Sequence, residues 1–408
     1  MCKPLLLVAL LAVSCLSQQS DWRQAAHQRI EQIRKDHLIV RLVDSTGQPV
    51  PNAQLRVELL EHEFGFGTAV SGRYLLDDSP DAARYRDFIR ENFNMAVLEN
   101  DLKWPQWERD RGPALEGIAW LKANGISRVR GHTLVWPSWR WLPKDLRDLE
   151  DQPEALRARV RAHIQDVVSA NQGKLLHWDV LNEPFSEHDL MRILGPEVMA
   201  EWFREAKRHD SQATLFINDY GILSGRGENR EHQNHYYETI RNLIAWGAPL
   251  EGIGLQGHFS EPTSPERMLA ILDRFGEFGL PLAITEFDFD TKDEQAQADF
   301  LRDLLTVCFS HPRVKWFLMW GFWEGRHWKP NGAMIRKDWS PKPSFAVWRD
   351  LVHQQWQTRE TRTTDPMGAA VVHGYRGRYR IQASQGNRTV SAEAILGSGG
   401  STITLTMP

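Results

Sequence analysis

Two glutamates, Glu183 and Glu286, stand near the ends of short apolar runs, the first preceded by Asn182 and the second within Ile284-Thr-Glu-Phe-Asp288. A pair of carboxyl groups suits cleavage of a glycosidic bond. One protonates the leaving oxygen while the other attacks the anomeric carbon, and for retention the two stand about 5 to 5.5 Å apart, with a covalent intermediate between two displacements. The acid has to be protonated near neutrality, so its pKa must be raised. A like charge on its partner and partial desolvation under surrounding indoles both push that way. Once the first step has consumed the nucleophile's charge, the acid can deprotonate water as a base.

Residues so far apart in sequence need a scaffold that brings strand ends together. From Phe64 to about Val352, apolar runs alternate eight times with longer amphipathic segments. The runs are Phe64–Val70, Met95–Glu99, Arg128–Trp136, Leu175–Glu183, Ala213–Asp219, Gly252–His258, Pro281–Asp288 and Trp316–Trp323. Between them lies helical spacing, as in Leu156, Val160, Ile164 and Val168, opened by Asp151 with Pro153 and closed at Gly173. Eight strand–helix alternations predict an α/β fold, a (β/α)8 barrel over 62–356 rather than an open sheet. The strand ends of such a barrel share one rim. Here they carry Glu99, Asn100 and Lys103; His132 and Trp136; Asn182 and Glu183; Asn218 and Asp219; Gln256 and His258; Glu286; and Trp320.

These residues fall in blocks: Glu99-Asn-Asp-Leu-Lys-Trp104, Gly131-His-Thr-Leu-Val-Trp136, Trp178-Asp-Val-Leu-Asn-Glu-Pro184, Asn218-Asp-Tyr220, Gly252-Ile-Gly-Leu-Gln-Gly-His258, Ile284-Thr-Glu-Phe-Asp288 and Trp320-Gly-Phe-Trp-Glu324, followed by Trp328 and Pro341-Lys-Pro343. In this order, over about residues 62 to 355, the set resembles glycoside hydrolase family 10, mostly endo-β-1,4-xylanases with a (β/α)8 fold. The resemblance implies a retaining enzyme acting on xylan or a related β-1,4-linked polysaccharide, without metal or organic cofactor. It implies Glu183 as acid/base and Glu286 as nucleophile. Asn182 would bond the sugar 2-hydroxyl at the cleaved linkage, and His258 would support the nucleophile, with Gln256 and Asp179 in the surrounding network. Glu99, Asn100, Lys103, His132 and Trp136 would line the glycone side, and Trp320 and Trp328 would form a wall or lid. Trp104 is expected to pack rather than touch substrate, and Asp288 and Glu324 to be supporting groups.

Three positions depart from the family pattern. Pro137-Ser138-Trp139 replaces a usual His-Ser-Gln, which removes two polar contacts on the glycone side while Trp139 and Trp141 add apolar faces. Gly221 stands where Asn is common, and Glu324 where Asp is usual. These changes leave the chemistry in place and favour a decorated or unusual xylan, or tolerance of glucan. A retaining glycanase acting on glucan or short oligosaccharides would use the same residues. A non-catalytic carbohydrate-binding barrel is the reading from another class, and the presence of both carboxylates weighs against it.

The rest of the chain bounds the setting. Charge is nearly balanced, with 49 Lys and Arg against 53 Asp and Glu, which gives no electrostatic reason to expect nucleic acid or an acidic membrane as partner. The 17 Trp against 7 Tyr suit stacking on sugar rings. Residues 1–20 read as an export signal, with Lys3 before the apolar run Leu5 to Val13, too short to span a bilayer. A lipid anchor at Cys15 is the alternative, so the expectation is a secreted, periplasmic or cell-surface monomer. Cys308 falls on an apolar helix face and is expected in a core. His232 and His235 have near-metal spacing but no backing cluster, so an exposed helix face is expected there. Residues 21–61 carry a short helix and two strand-like segments, 357–366 read as a polar linker, and 367–408 return to strand-like alternation. We expect the two ends to pair into a small β-sandwich, 367–408 against 37–60.

Overall fold

The computed structural model describes residues 22–408; the expected export signal and Cys15 lie outside them. The chain divides into two compact units. One comprises Gly65–Leu304 and Arg313–Ala346. Its eight strands are Gly65–Val70, Met95–Leu98, Arg128–Gly131, His177–Asn182, Thr214–Asp219, Gly252–Leu255, Leu282–Phe289 and Val314–Met319. Each pairs in parallel with the next, and the eighth pairs back to the first through Trp316 and Gly65, closing a (β/α)8 barrel with helices between strands.

Barrel strands are covered on both faces, so they read as continuous apolar runs rather than alternating ones. All six residues of the first, fourth and eight of the seventh strand are buried accordingly. Ala69, Met95, Val97, Leu318 and Trp320 form one cluster of this interior. Gly252 makes room for a neighbour, because a methyl group there would lie 2.3 Å from the Phe216 ring. The third run is shorter than expected. Regular pairing ends at Gly131, where His132 leaves the ladder and its ring bonds Asp179 of the fourth strand. The chain then rejoins that strand, with Leu134 and Val135 donating to the carbonyls of Asp179 and Val180.

The other unit comprises the described residues up to Phe64, Leu305–Pro312 and Val347–Pro408. A helix over residues 22–34 leads into two small sheets. In the first, Lys35–Val43 lies between Ala369–Tyr375, antiparallel, and Ser401–Thr406, parallel. In the second the order is Arg359–Thr363, Gln54–His62, Gly377–Gln385, Arg388–Leu396. Alternate residues are buried, Leu38, Val40 and Leu42 from one sheet and Leu55, Val57, Tyr379 and Ile381 from the other. The N- and C-terminal segments thus build one flanking β region. The expected linker is corrected here, since Arg359–Thr363 is a strand antiparallel to Gln54–Glu58. It is an edge strand, and edges carry charged, exposed side chains that read as loop in sequence. Residues 305–312 and 347–356 also group with this unit rather than with the barrel. Phe309 stacks on Trp356 at 4.1 Å, and its carbonyl accepts from Arg34 at 2.7 Å. Cys308 is fully buried beside them, and burial pushes its thiol pKa up. Among the described residues no helix is long and apolar enough to cross a membrane.

Candidate active site

Glu183 follows the fourth barrel strand with φ of 55°, a left-handed conformation uncommon outside glycine. Its backbone N–H donates to the Asn218 carbonyl at 2.8 Å, which holds the carboxyl-bearing residue at the rim in spite of that strain. The Gln256 amide donates to its Oε1 at 2.8 Å. Burial raises the Glu183 pKa, the Gln256 bond works against it, and the charges of Glu286 and Asp219 add to the rise; the carboxyl ends at about 7.

Glu286, on the seventh strand, is buried among donors. Asn218 Nδ2 donates to its Oε1 at 2.8 Å, and His258 Nε2 lies 3.2 Å from its Oε2. Burial opposes its ionisation, but His132, His258 and Lys103 outweigh that and hold the carboxyl below the ordinary glutamate value. His258 is oriented from behind by Asp288, 2.9 Å from Nδ1. Burial lowers the His258 pKa, yet the bonds to Asp288 and Glu286 prevail and lift it to about 9. Two carboxyls on one rim are thereby held in opposite protonation states by different neighbours.

One amide chain runs between them. Asn218 Nδ2 donates to Asn182 Oδ1 at 3.0 Å as well as to Glu286, and Thr285 donates to Asn218 Oδ1 at 2.7 Å, which fixes the amide's orientation. Asn182 Nδ2 is buried and has no hydrogen-bond partner among the described residues. A buried donor left unpaired costs about 1–3 kcal/mol, so this atom is suited to an acceptor on a ligand.

The remaining expected residues gather around this centre. His132 Nδ1 lies 3.0 Å from Asp179 and 3.9 Å from Glu286. Asp179 is also paired with Arg130, both fully buried, so it reaches the centre only through His132. Gln256 joins both sides of this network: its Nε2 donates to Glu183 at 2.8 Å and to Asn182 Oδ1 at 3.5 Å, and its carbonyl accepts from the Glu286 N–H at 2.9 Å. Lys103 donates to Asn100 at 2.9 Å; burial lowers its pKa while Glu286, Glu99 and Glu183 act to raise it. Burial raises the pKa of Glu99, against the charge of Lys103. The Trp320 ring stands edge-on to His132 and His258 at 5.3 and 6.3 Å. Trp328 is 51% exposed, donates to Asp288 at 2.7 Å and sits 4.9 Å from His258. Trp104 is buried, stacked on His163 at 3.8 Å. Glu324 bonds Lys342 at 2.7 Å and the Lys337 N–H at 3.0 Å, a brace for its loop.

Two expectations need correction. Trp141 does not add a free face, because it stacks on Trp136 at 3.9 Å and 9°. His232 is not on an exposed helix face; it is fully buried, 3.1 Å from Asp219 and stacked on Phe185 at 3.9 Å. Gly221 belongs to that arrangement. Its φ is 69°, and a Cβ there would lie 2.9 Å from His232 Nδ1. Sequence reading passed over Asn218 as a site residue, although its position at the end of the fifth run was the available signal. No group of three or more His, Cys, Asp or Glu among the described residues could hold a metal ion.

Residues 56–350 match the model of glycosyl hydrolase family 10. The chain is 33% identical over 367 residues to an anti-sigma-I factor of Acetivibrio thermocellus, covering 88% of this chain and 46% of that protein. It is 30% identical over 361 residues to endo-1,4-beta-xylanase 1 of Arabidopsis thaliana, covering 86% and 37% respectively. The chain therefore spans less than half the length of either curated relative. The crystal structure of native xylanase 10B from Thermotoga maritima superposes with a TM-score of 0.64 at 28% identity, over 72% of this chain and 96% of that one. With the barrel closed, the two glutamates on its rim and the family model matched across most of the chain, this protein belongs to glycosyl hydrolase family 10.

Proposed function

We propose that the protein hydrolyses internal β-1,4-xylosidic bonds of xylan with retention of anomeric configuration. Glu183 protonates the departing oxygen, and Glu286 attacks the anomeric carbon to form a glycosyl ester. Glu183, then ionised, takes a proton from water, whose oxygen displaces Glu286 and regenerates both groups. His258 and Asn218 keep Glu286 ionised and aimed, while Asn182 offers its unpaired N–H to the sugar 2-hydroxyl. Trp320 walls the site beside the cleaved bond. The observation that carries the reading is the contrast between the two carboxyls, Glu183 raised to about 7 and Glu286 held below its ordinary value. The xylanases named among its relatives support xylan as the polymer.

Incubation with linear xylan and barley glucan, with products followed by NMR, tests this. Early release of β-configured xylo-oligosaccharides is expected. Initial α-products would remove the double displacement, and turnover of glucan alone would remove xylan as substrate.

A further inference from the structure

Beside the candidate glycone residues Asn100, Lys103 and Trp136 lies a pocket of 390 Å³, within the roughly 300–1,000 Å³ usual for small-ligand sites. Part of its wall is Trp139 through Lys144, a stretch that begins with the last residue of the departing Pro137-Ser138-Trp139. Two properties set it apart from a neutral sugar subsite.

The first is charge. Lys103, Arg140 and Lys144 all line it, and no Asp or Glu does. Lys103 is committed to Asn100 and to the electrostatics of the catalytic carboxyls. Arg140 and Lys144 are exposed side chains, and neither has an ion-pair partner among the described residues. Two acids beside this segment are engaged elsewhere: Asp145, next to Lys144 in sequence, with Arg159 at 3.6 Å, and Asp189 with Arg192 at 3.4 Å and the Trp139 N–H at 3.0 Å. The second property is a fixed aromatic wall. Trp136 and Trp141 stack at 3.9 Å, with the Arg140 guanidinium 4.6 Å from the Trp141 ring centre and the Lys103 ammonium 5.4 Å from that of Trp136. Stacking of this kind restrains Trp141 and with it Arg140, so that less freedom is lost when an anion pairs with the guanidinium.

We propose that this pocket receives an acidic substituent of the sugar chain, a uronic acid borne on the glycone portion of xylan. Arg140 and Lys144 pair with its carboxylate, and Trp139 packs against its ring. Contiguity with Asn100, Lys103 and Trp136 selects a branch of the bound chain over a free anion. The proposal rests on the xylan-hydrolase reading and deepens it by naming the decoration.

The test compares kcat/KM on glucuronoxylan with kcat/KM on the same polymer after its carboxyl groups are chemically reduced to alcohols. The backbone and branching are then constant and only the charge differs. At low salt the ratio is expected to be about fivefold in favour of the acidic polymer, and to fall close to one in the double variant Arg140→Gln/Lys144→Gln and in 0.5 M salt. A ratio near one in the unaltered protein, or one the double variant leaves in place, overturns the proposal. If neither polymer is cleaved, the hydrolase reading fails. Calorimetric affinities of the same protein for an aldouronic oligosaccharide and its reduced form then decide the pocket separately, equal affinities being the adverse result.

Discussion

Gln256 reaches from the end of the sixth barrel strand to Glu183 on the fourth, its Nε2 donating to Oε1 at 2.8 Å. A donor on a carboxyl stabilises the ionised form, so Gln256 moderates the rise that burial imposes on Glu183. Replacing Gln256 with Leu removes the donor and leaves the burial. The alkaline limb of kcat/KM is expected to move to higher pH than in the unaltered protein. A limb that stays or moves down would separate Gln256 from Glu183.

The unaltered protein should itself give a bell-shaped profile. Activity needs Glu286 ionised and Glu183 protonated. The acid limb therefore lies below the ordinary glutamate value and the alkaline limb near pH 7. Rates on a soluble xylo-oligosaccharide between pH 3 and 9 check both limbs. Full activity at pH 9 would be incompatible with Glu183 as the acid.

The two glutamates should fail differently when truncated. Glu286→Ala is expected to abolish turnover of every substrate. Glu183→Ala should lower hydrolysis of xylan by roughly 10²–10⁴-fold while sparing the first step on dinitrophenyl glycosides, whose leaving group needs no proton. Burst kinetics on these substrates separates the steps, and equal loss on all of them would remove Glu183 from the role.

Glu183 also carries a stability cost whose sign follows from its pKa. Its carboxyl is protonated in the fold up to about pH 7 but ionises near the ordinary value when unfolded, so the fold loses stability as pH rises between the two. By pH 8 the loss is roughly 3 kcal/mol. Glu183→Gln should therefore match the unaltered protein in Tm at pH 4 and exceed it at pH 8. A gap independent of pH would contradict the assignment.

The Arg130–Asp179 pair lies inside the barrel with both side chains fully buried. Asp179→Asn leaves the guanidinium without its counter-charge, and loss of one partner of a buried pair costs about 3–5 kcal/mol. Urea unfolding is expected to report a loss in that range. Because Asp179 also bonds His132, kcat should fall as well.

The barrel was legible because its strands are buried on both faces, and runs such as Leu175–Glu183 end in residues with no packing reason to be there. Glu183, Glu286, His258 and Lys103 all announced themselves in this way. Asn218 did not, since a neutral amide at a strand end has many ordinary uses and only the bond to Glu286 distinguishes it. His232 misled because its helix is polar in sequence, Arg230 and Glu231 preceding it. Its burial depends on Asp219, Phe185 and the space left by Gly221, contacts from other parts of the chain. Arg359–Thr363 misled for the converse reason, since a strand held only at an edge needs no apolar face. Trp141 was visible as an indole, but sequence could not say that Trp136 would occupy one of its faces.

The order of strands in the flanking unit also sets a timetable for synthesis. Apart from the short local contacts of Leu42 and Val43 with Val50 and Pro49, Lys35–Val43 finds its strand neighbours in Ala369–Tyr375 and Ser401–Thr406, about 330 residues later on the ribosome, or about 15 to 65 seconds at ordinary elongation rates. All eight strands of the barrel are made in that interval, so the barrel can close while most of the first strand still waits unpaired. An unpaired apolar strand is a template for wrong partners, so the nascent chain is more open to mispairing at this strand than the finished protein.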